Sequence, residues 1–161
     1  MAHRDYEEFL ASLNAHGVRY LVGGAHALAF HARPRATKDL DIFIEPTAKN
    51  AARVVAAVGE FFGGTAPTYV SVKHLLDPEI IVQLGVAPVR IDLLKQLGSP
   101  GGFRGAWRRK VDAPFGSVPA HYLSMDDLIA DKQFWDRDQD RVDVRILLRA
   151  KARGRAQRKR R

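Results

Sequence analysis

The chain has 161 residues, enough for one domain with a sizeable core, and its 46% apolar and 27% charged content is that of a globular protein. It has no cysteine, which excludes disulfides and thiolate metal sites. The net charge of +8 belongs to one end: residues 149–161 hold eight Lys/Arg and no acid, leaving 18 basic and 18 acidic residues before them, so the overall charge says nothing about what the body binds.

A run this basic repels itself, so residues 151–161 are expected to be a disordered tail behind a single domain at 1–150. Such a tail serves either as a solubilising extension or as a sequence-blind grip on nucleic-acid phosphates. No stretch reaches the roughly 20 apolar residues of a membrane span, and the opening MAHRDYEEFL lacks an apolar leader pattern. A cytoplasmic protein without a membrane segment is expected.

In chain order, residues 4–16 place Tyr6, Phe9, Leu10 and Leu13 at helical spacing, and Gly17 stops the helix. Residues 18–22 read as a short strand, Gly23-Gly24 as a tight turn, and 25–32 as a helix. Pro34 makes 33–38 a loop, 39–44 is a strand, and Thr47 caps a helix running to about Glu60. After a turn at Gly63-Gly64, residues 69–76 and 79–84 read as two strands, and 89–94 alternates as another after Pro88. Residues 98–102 form a loop and 111–118 a turn or short hairpin. Ser124 opens a helix with an acid three residues on, and a second helix is predicted over 139–149. The pattern implies an α+β fold, a mixed β-sheet with flanking and C-terminal helices.

The chemistry concentrates on two of those strands. In 39–44 the pleat sends Leu40, Ile42 and Ile44 to one face and Asp39, Asp41 and Phe43 to the other. The two carboxylates lie roughly 6–7 Å apart along the strand. In 89–94 the face opposite Val89, Ile91 and Leu93 carries Arg90, Asp92 and Leu94. An acid inside an apolar strand is disfavoured by propensity. If the strands are neighbours, three carboxylates converge, and a pair about 5 Å apart repels by about 3 kcal/mol at an effective dielectric near 20. Divalent cations remove that cost, and hard oxygen donors without His or Cys suit Mg²⁺ or Mn²⁺. Gly23-Gly24 leads into a helix N-terminus, where free N–H groups favour an anion such as a triphosphate.

The stretch Tyr20-Leu21-Val22-Gly23-Gly24-Ala25, followed by Arg35-Ala36-Thr37-Lys38-Asp39-Leu40-Asp41-Ile42, resembles the signature of the DNA polymerase β-like nucleotidyltransferase superfamily. The Arg-x-Thr-x-Asp-x-Asp form is similar to the minimal nucleotidyltransferases of the AbiEii toxin type. The run from Asp127 to Lys132, then Arg137, Asp140 and Asp143, is similar too, so the resemblance spans roughly residues 18–148. It implies the nucleotidyltransferase fold and transfer of an NMP from an NTP to a hydroxyl. Asp39, Asp41 and Asp92 would be catalytic and would bind two metal ions, Asp92 also acting as general base. Gly23, Gly24, Arg35, Thr37 and Lys132 would contact the nucleotide. Gly24 stands where many members have Ser. The acceptor is left open between an RNA 3′ end or tRNA, a protein and a small molecule. The AbiEii likeness points to a toxin–antitoxin or defence role. The alternative is a nucleotide- or RNA-binding module, or a neutralising partner protein, with little catalysis.

Overall fold

The computed structural model describes residues 3–86 and 89–161; the expectations resting on Pro88 and on the first two residues concern positions outside those. Seven helices and six strands follow in the order α1 (His3–Ala15), β1 (Tyr20–Val22), α2 (Gly24–His31), β2 (Asp39–Ile44), α3 (Ala48–Phe61), α4 (Val72–Leu76), β3 (Val82–Val86), β4 (Val89–Leu94), α5 (Gly102–Arg108), β5 (Val111–Phe115), β6 (Val118–Tyr122), α6 (Met125–Trp135) and α7 (Asp138–Lys159), counted among the described residues. The strands form one mixed sheet, ordered β3-β4-β2-β1-β6-β5. β2 runs parallel to β4 and antiparallel to β1, while β3–β4 and β5–β6 are antiparallel hairpin partners.

The core forms where the patterning puts it. Leu40, Ile42 and Ile44 are fully buried, as are Phe9, Leu10 and Leu13 of α1, each worth about 1.5–3 kcal/mol of apolar burial. α1 packs on α3 and reaches β4 and β6, whereas α2 packs on β2, α6 and α7. Caps fix the helix starts: Thr47 Oγ1 accepts from the Asn50 N–H at 3.2 Å, and Ser124 Oγ from the Asp127 N–H at 3.1 Å. No described helix is long and apolar enough to cross a membrane.

Three expectations change. Residues 69–76 are not a strand: Ser71 accepts from the His74 N–H and starts α4, so a local cap overrides the apolar run. The following strand begins at Val82, not at Glu79. The basic tail is not disordered from residue 151, because α7 continues to Lys159. Ala, Arg, Lys and Gln are strong helix formers, and the Lys151 ammonium meets the Asp126 carboxylate at 2.7 Å.

Candidate active site

The pairing of β2 with β4 settles where the acids go. In that parallel register Asp41 stands opposite Asp92, and Asp39 opposite Arg90. Adjacent strands lie about 4.8 Å apart, so the two carboxylates share one side of the sheet at close range. They form the floor of a cleft of about 470 Å³ whose wall includes Gly24, Arg35, Thr37, Asp39, Lys95, Asp131, Lys132, Trp135, Arg137, Asp140 and Asp143.

The electrostatics are those of crowded anions. The Asp41 carboxyl is pushed up to about 6, first by burial and then by the charges of Asp92 and Asp39. Burial also raises Asp92, against the opposing charge of Arg90. The Arg90 guanidinium meets Asp39 Oδ2 at 2.8 Å and Asp92 Oδ1 at 3.4 Å. Asp92 Oδ1 is buried and accepts no hydrogen bond from a described residue. With Asp39 drawn to Arg90, no three Asp, Glu or His side chains among the described residues meet closely enough to enclose an ion. The cleft floor still gathers three carboxylates without Cys or His, the donor chemistry that suits a hard divalent cation; two have raised pKa, and Asp92 Oδ1 has only the 3.4 Å contact with Arg90.

The glycine pair serves the acids in two ways. Gly24 has φ +57°, and a Cβ there would stand 2.0 Å from Asp41 Oδ2, so only glycine lets the turn close onto that carboxylate. Gly23 is extended, at φ −120°, and caps α2. Its N–H donates to the Asp41 carbonyl at 3.0 Å, and a Cβ would meet the Phe43 ring at 2.6 Å. Gly23 is therefore a packing residue beneath the turn, and the cleft wall carries Gly24 without it.

A second cluster faces the acids from α6 and α7. Asp143, fully buried, accepts from Lys132 Nζ at 2.8 Å, Arg35 Nη2 at 2.9 Å and Gln139 Nε2 at 3.0 Å. Asp140 holds Lys132 at 3.6 Å and accepts from the Arg137 side chain at 2.8 Å and backbone at 3.1 Å, capping α7. The partners of Lys132 are thus Asp143 and Asp140, not the nearer Asp131 or Asp136. Asp131 accepts from the Gly98 N–H at 2.8 Å and from Trp135 Nε1 at 3.2 Å. Thr37 Oγ1 accepts from the Asp39 N–H at 3.1 Å, setting the start of β2.

Three contributors escaped the sequence reading. Arg90 had its signal, since it shares a strand face with Asp92. Lys95 donates to the carbonyls of His74, Asp77 and Ile80, and so ties the loop after α4 to the cleft; burial lowers its pKa. Tyr6 Oη, from α1, donates to the Lys38 carbonyl at 3.1 Å and the Arg90 carbonyl at 3.3 Å, joining the two acid-bearing strands behind the site. His26 packs against the Tyr6 and Phe115 rings, and Trp107 against Phe103 and Lys110, both away from the cleft wall.

No protein-family model matches the chain, and no curated protein matches it. Solved structures are similar over nearly its whole length, two of them of one protein. The solution structure of the antibiotic-resistance factor ANT(2'')-Ia superposes with a TM-score of 0.59 at 13% identity, covering 96% of this chain and 91% of that one. The crystal structure of ANT(2'')-Ia in complex with adenylyl-2''-tobramycin gives 0.57 at 14% identity, covering 98% and 97%. At these identities the likeness is one of architecture: the six-stranded mixed sheet and its flanking helices have the α+β nucleotidyltransferase fold that those structures share.

Proposed function

We propose that the cleft transfers a nucleoside monophosphate from an NTP to a hydroxyl acceptor, with pyrophosphate released. The observation that carries this is the Asp41–Asp92 register at the floor of a cleft whose glycine turn accommodates only a bare backbone against Asp41. Asp39, Asp41 and Asp92 are the residues that would hold two Mg²⁺ or Mn²⁺ ions, for which Asp39 would have to give up its pair with Arg90. Bound there, such ions supply positive charge for the triphosphate and acidify the acceptor hydroxyl. Asp92, whose buried Oδ1 has only the 3.4 Å ion-pair contact with Arg90, is the base that takes the hydroxyl proton. Gly24 and the start of α2 receive phosphate through backbone N–H groups. Arg35, Lys132 and Arg137 bring cations to the same wall, held in place by Asp143 and Asp140. Gly23 supports the turn, and Thr37, on the cleft wall, sets the start of β2 beside the nucleotide.

The hydroxyl acceptor draws support from the fold neighbour solved with adenylyl-2''-tobramycin. The narrower readings belong to the same proposal: ATP among the NTPs, supported by the adenylyl group in that neighbour's ligand; a toxin or defence role and the AbiEii likeness, resting on the Arg35-x-Thr37-x-Asp39-x-Asp41 motif; and a cytoplasmic setting, resting on the lack of cysteine. Residues 1–150 form the catalytic unit of this proposal, and the basic end lies outside it. A second reading, a nucleotide-binding module with little catalysis, is favoured by the Arg90–Asp39 pair, which neutralises an acid that catalysis requires.

One experiment separates the two. The protein is incubated with each α-³²P-labelled NTP, Mg²⁺ or Mn²⁺, and tobramycin or total RNA, alongside Asp41→Asn. Divalent-dependent labelling of an acceptor, lost in the variant, is the expected result. A thermal shift with NTP and Mg²⁺ but no labelling would establish the binding module, and no shift at all would sink both readings.

A further inference from the structure

The C-terminal half of α7 is a cationic surface that the cleft does not use. α7 spans 22 residues, yet its buried positions end at Leu147. Beyond that point Arg149, Arg153, Arg155, Arg158 and Lys159 are exposed. Arg145, Arg149 and Arg153 form one ladder at four-residue spacing, and Lys151, Arg155 and Lys159 form another. Neighbours in each ladder lie about 5–6 Å apart on one stripe of the helix, and like charges so placed repel. Among the described residues only Lys151 has an acidic partner, Asp126. Arg158, Arg160 and Arg161 add charge, and no acid follows Asp143 anywhere in the sequence.

We infer that this half of α7 is a docking rail for the phosphodiester backbone of single-stranded nucleic acid. A polyanion relieves the repulsion along both ladders at once. A lipid surface fits less well, because the apolar residues between 149 and 161 are Ala150, Ala152 and Ala156, too small to enter a bilayer interface. A protein partner fits less well too, since that stretch has no aromatic or aliphatic anchor to fill a pocket.

The rail shares its helix with the cleft. Gln139, Asp140 and Asp143 of the same helix line the cleft wall. At 1.5 Å per residue, positions 149 to 159 lie about 15–30 Å from Gln139. That is the length of roughly four to nine stacked nucleotides at 3.4 Å each. A strand that runs from the rail along the helix towards Gln139 is long enough to bring its terminal ribose, with its hydroxyls, to the cleft wall. This last step rests on the function proposed above; the rail itself does not.

The test is fluorescence anisotropy with a 5′-labelled 20-nucleotide RNA, without NTP or divalent cation. The wild type should bind with log Kd linear in log salt. The triple variant Arg145→Gln, Arg149→Gln, Arg153→Gln should bind at least tenfold more weakly and lose about 2 from the slope, at about 0.7 per phosphate contact for single strands. Its circular dichroism should match the wild type. Should it fail to fold, Arg155→Gln, Arg158→Gln, Lys159→Gln, beyond the body's packing, gives the same reading. Wild-type binding and slope in a folded triple variant would overturn the rail. So would tight binding to 3:1 phosphatidylcholine–phosphatidylglycerol vesicles that the RNA does not displace. Asp41→Asn should still bind the RNA, so a failure of the cleft and a failure of the rail are told apart.

Discussion

Replacing Asp41 by Asn should stabilise the metal-free protein while ending its proposed chemistry. The carboxyl ionises near 3.8 in the unfolded chain and near 6 in the folded one, because burial and then the charges of Asp92 and Asp39 disfavour the anion. Below pH 3.8 both states are protonated and the residue costs nothing. As pH rises the unfolded chain ionises first, so stability falls, and above about 6 the full penalty applies. Roughly two pKa units at 1.36 kcal/mol each make that penalty about 3 kcal/mol. Asn has the same shape and cannot ionise. Asp41→Asn should therefore gain up to about 3 kcal/mol at pH 8, or about 6–12 °C in Tm for a chain of this size. The gain should shrink towards zero near pH 4. Scanning calorimetry in EDTA at pH 4, 6 and 8 measures it. A variant no more stable than wild type at pH 8, or equally advantaged at pH 4, would refute the crowded-anion account. The wild-type thermal shift with NTP and Mg²⁺ should rise with pH through about 6, and the variant should show none.

Arg90→Met frees Asp39 and Asp92 from their guanidinium, so Mn²⁺ affinity measured calorimetrically without nucleotide should rise by up to roughly fivefold, while the metal-free protein loses about 0.2–1 kcal/mol from a partly exposed pair. Weaker Mn²⁺ binding would mean that Arg90 organises the acids instead of competing for them. Tyr6→Phe deletes the bridge between the Lys38 and Arg90 carbonyls and should cost about 1–2 kcal/mol in urea denaturation, with a drop in labelling rate; unchanged stability would show that α1 does not brace the site. Lys132→Met leaves the buried Asp143 and Asp140 short of a cation and should cost about 3–5 kcal/mol, and adding Asp143→Asn should recover part of that loss.

Much of the site is legible in local pattern. Alternation alone puts Asp39 and Asp41 on one face of β2 and Leu40, Ile42 and Ile44 on the other, and a glycine turn before a helix marks where a backbone must come close. Thr47 and Ser124 announce their helices because a cap acts over three residues. Such features depend on neighbours within a turn or two, so the sequence by itself determines them. Local pattern also misleads where two local devices compete, as at 69–76, where the Ser71 cap wins over the β-like run. It misleads again in the basic tail, where composition predicts repulsion and the helix propensity of the same residues prevails.

What the tertiary structure alone decided is partnership. That Asp92 stands opposite Asp41 depends on β4 joining β2 in parallel, a pairing between segments some fifty positions apart. The same register sets Arg90 against Asp39 and turns a strand-face residue into the counter-ion of the site. Lys132 has acids beside it in sequence, yet it binds Asp143 and Asp140, because the turn at Asp136 folds α7 back across α6. Tyr6 lies 32 residues before the first strand end it braces. Coulomb and hydrogen-bond energies depend on distance in space, and no periodicity along the chain encodes that distance.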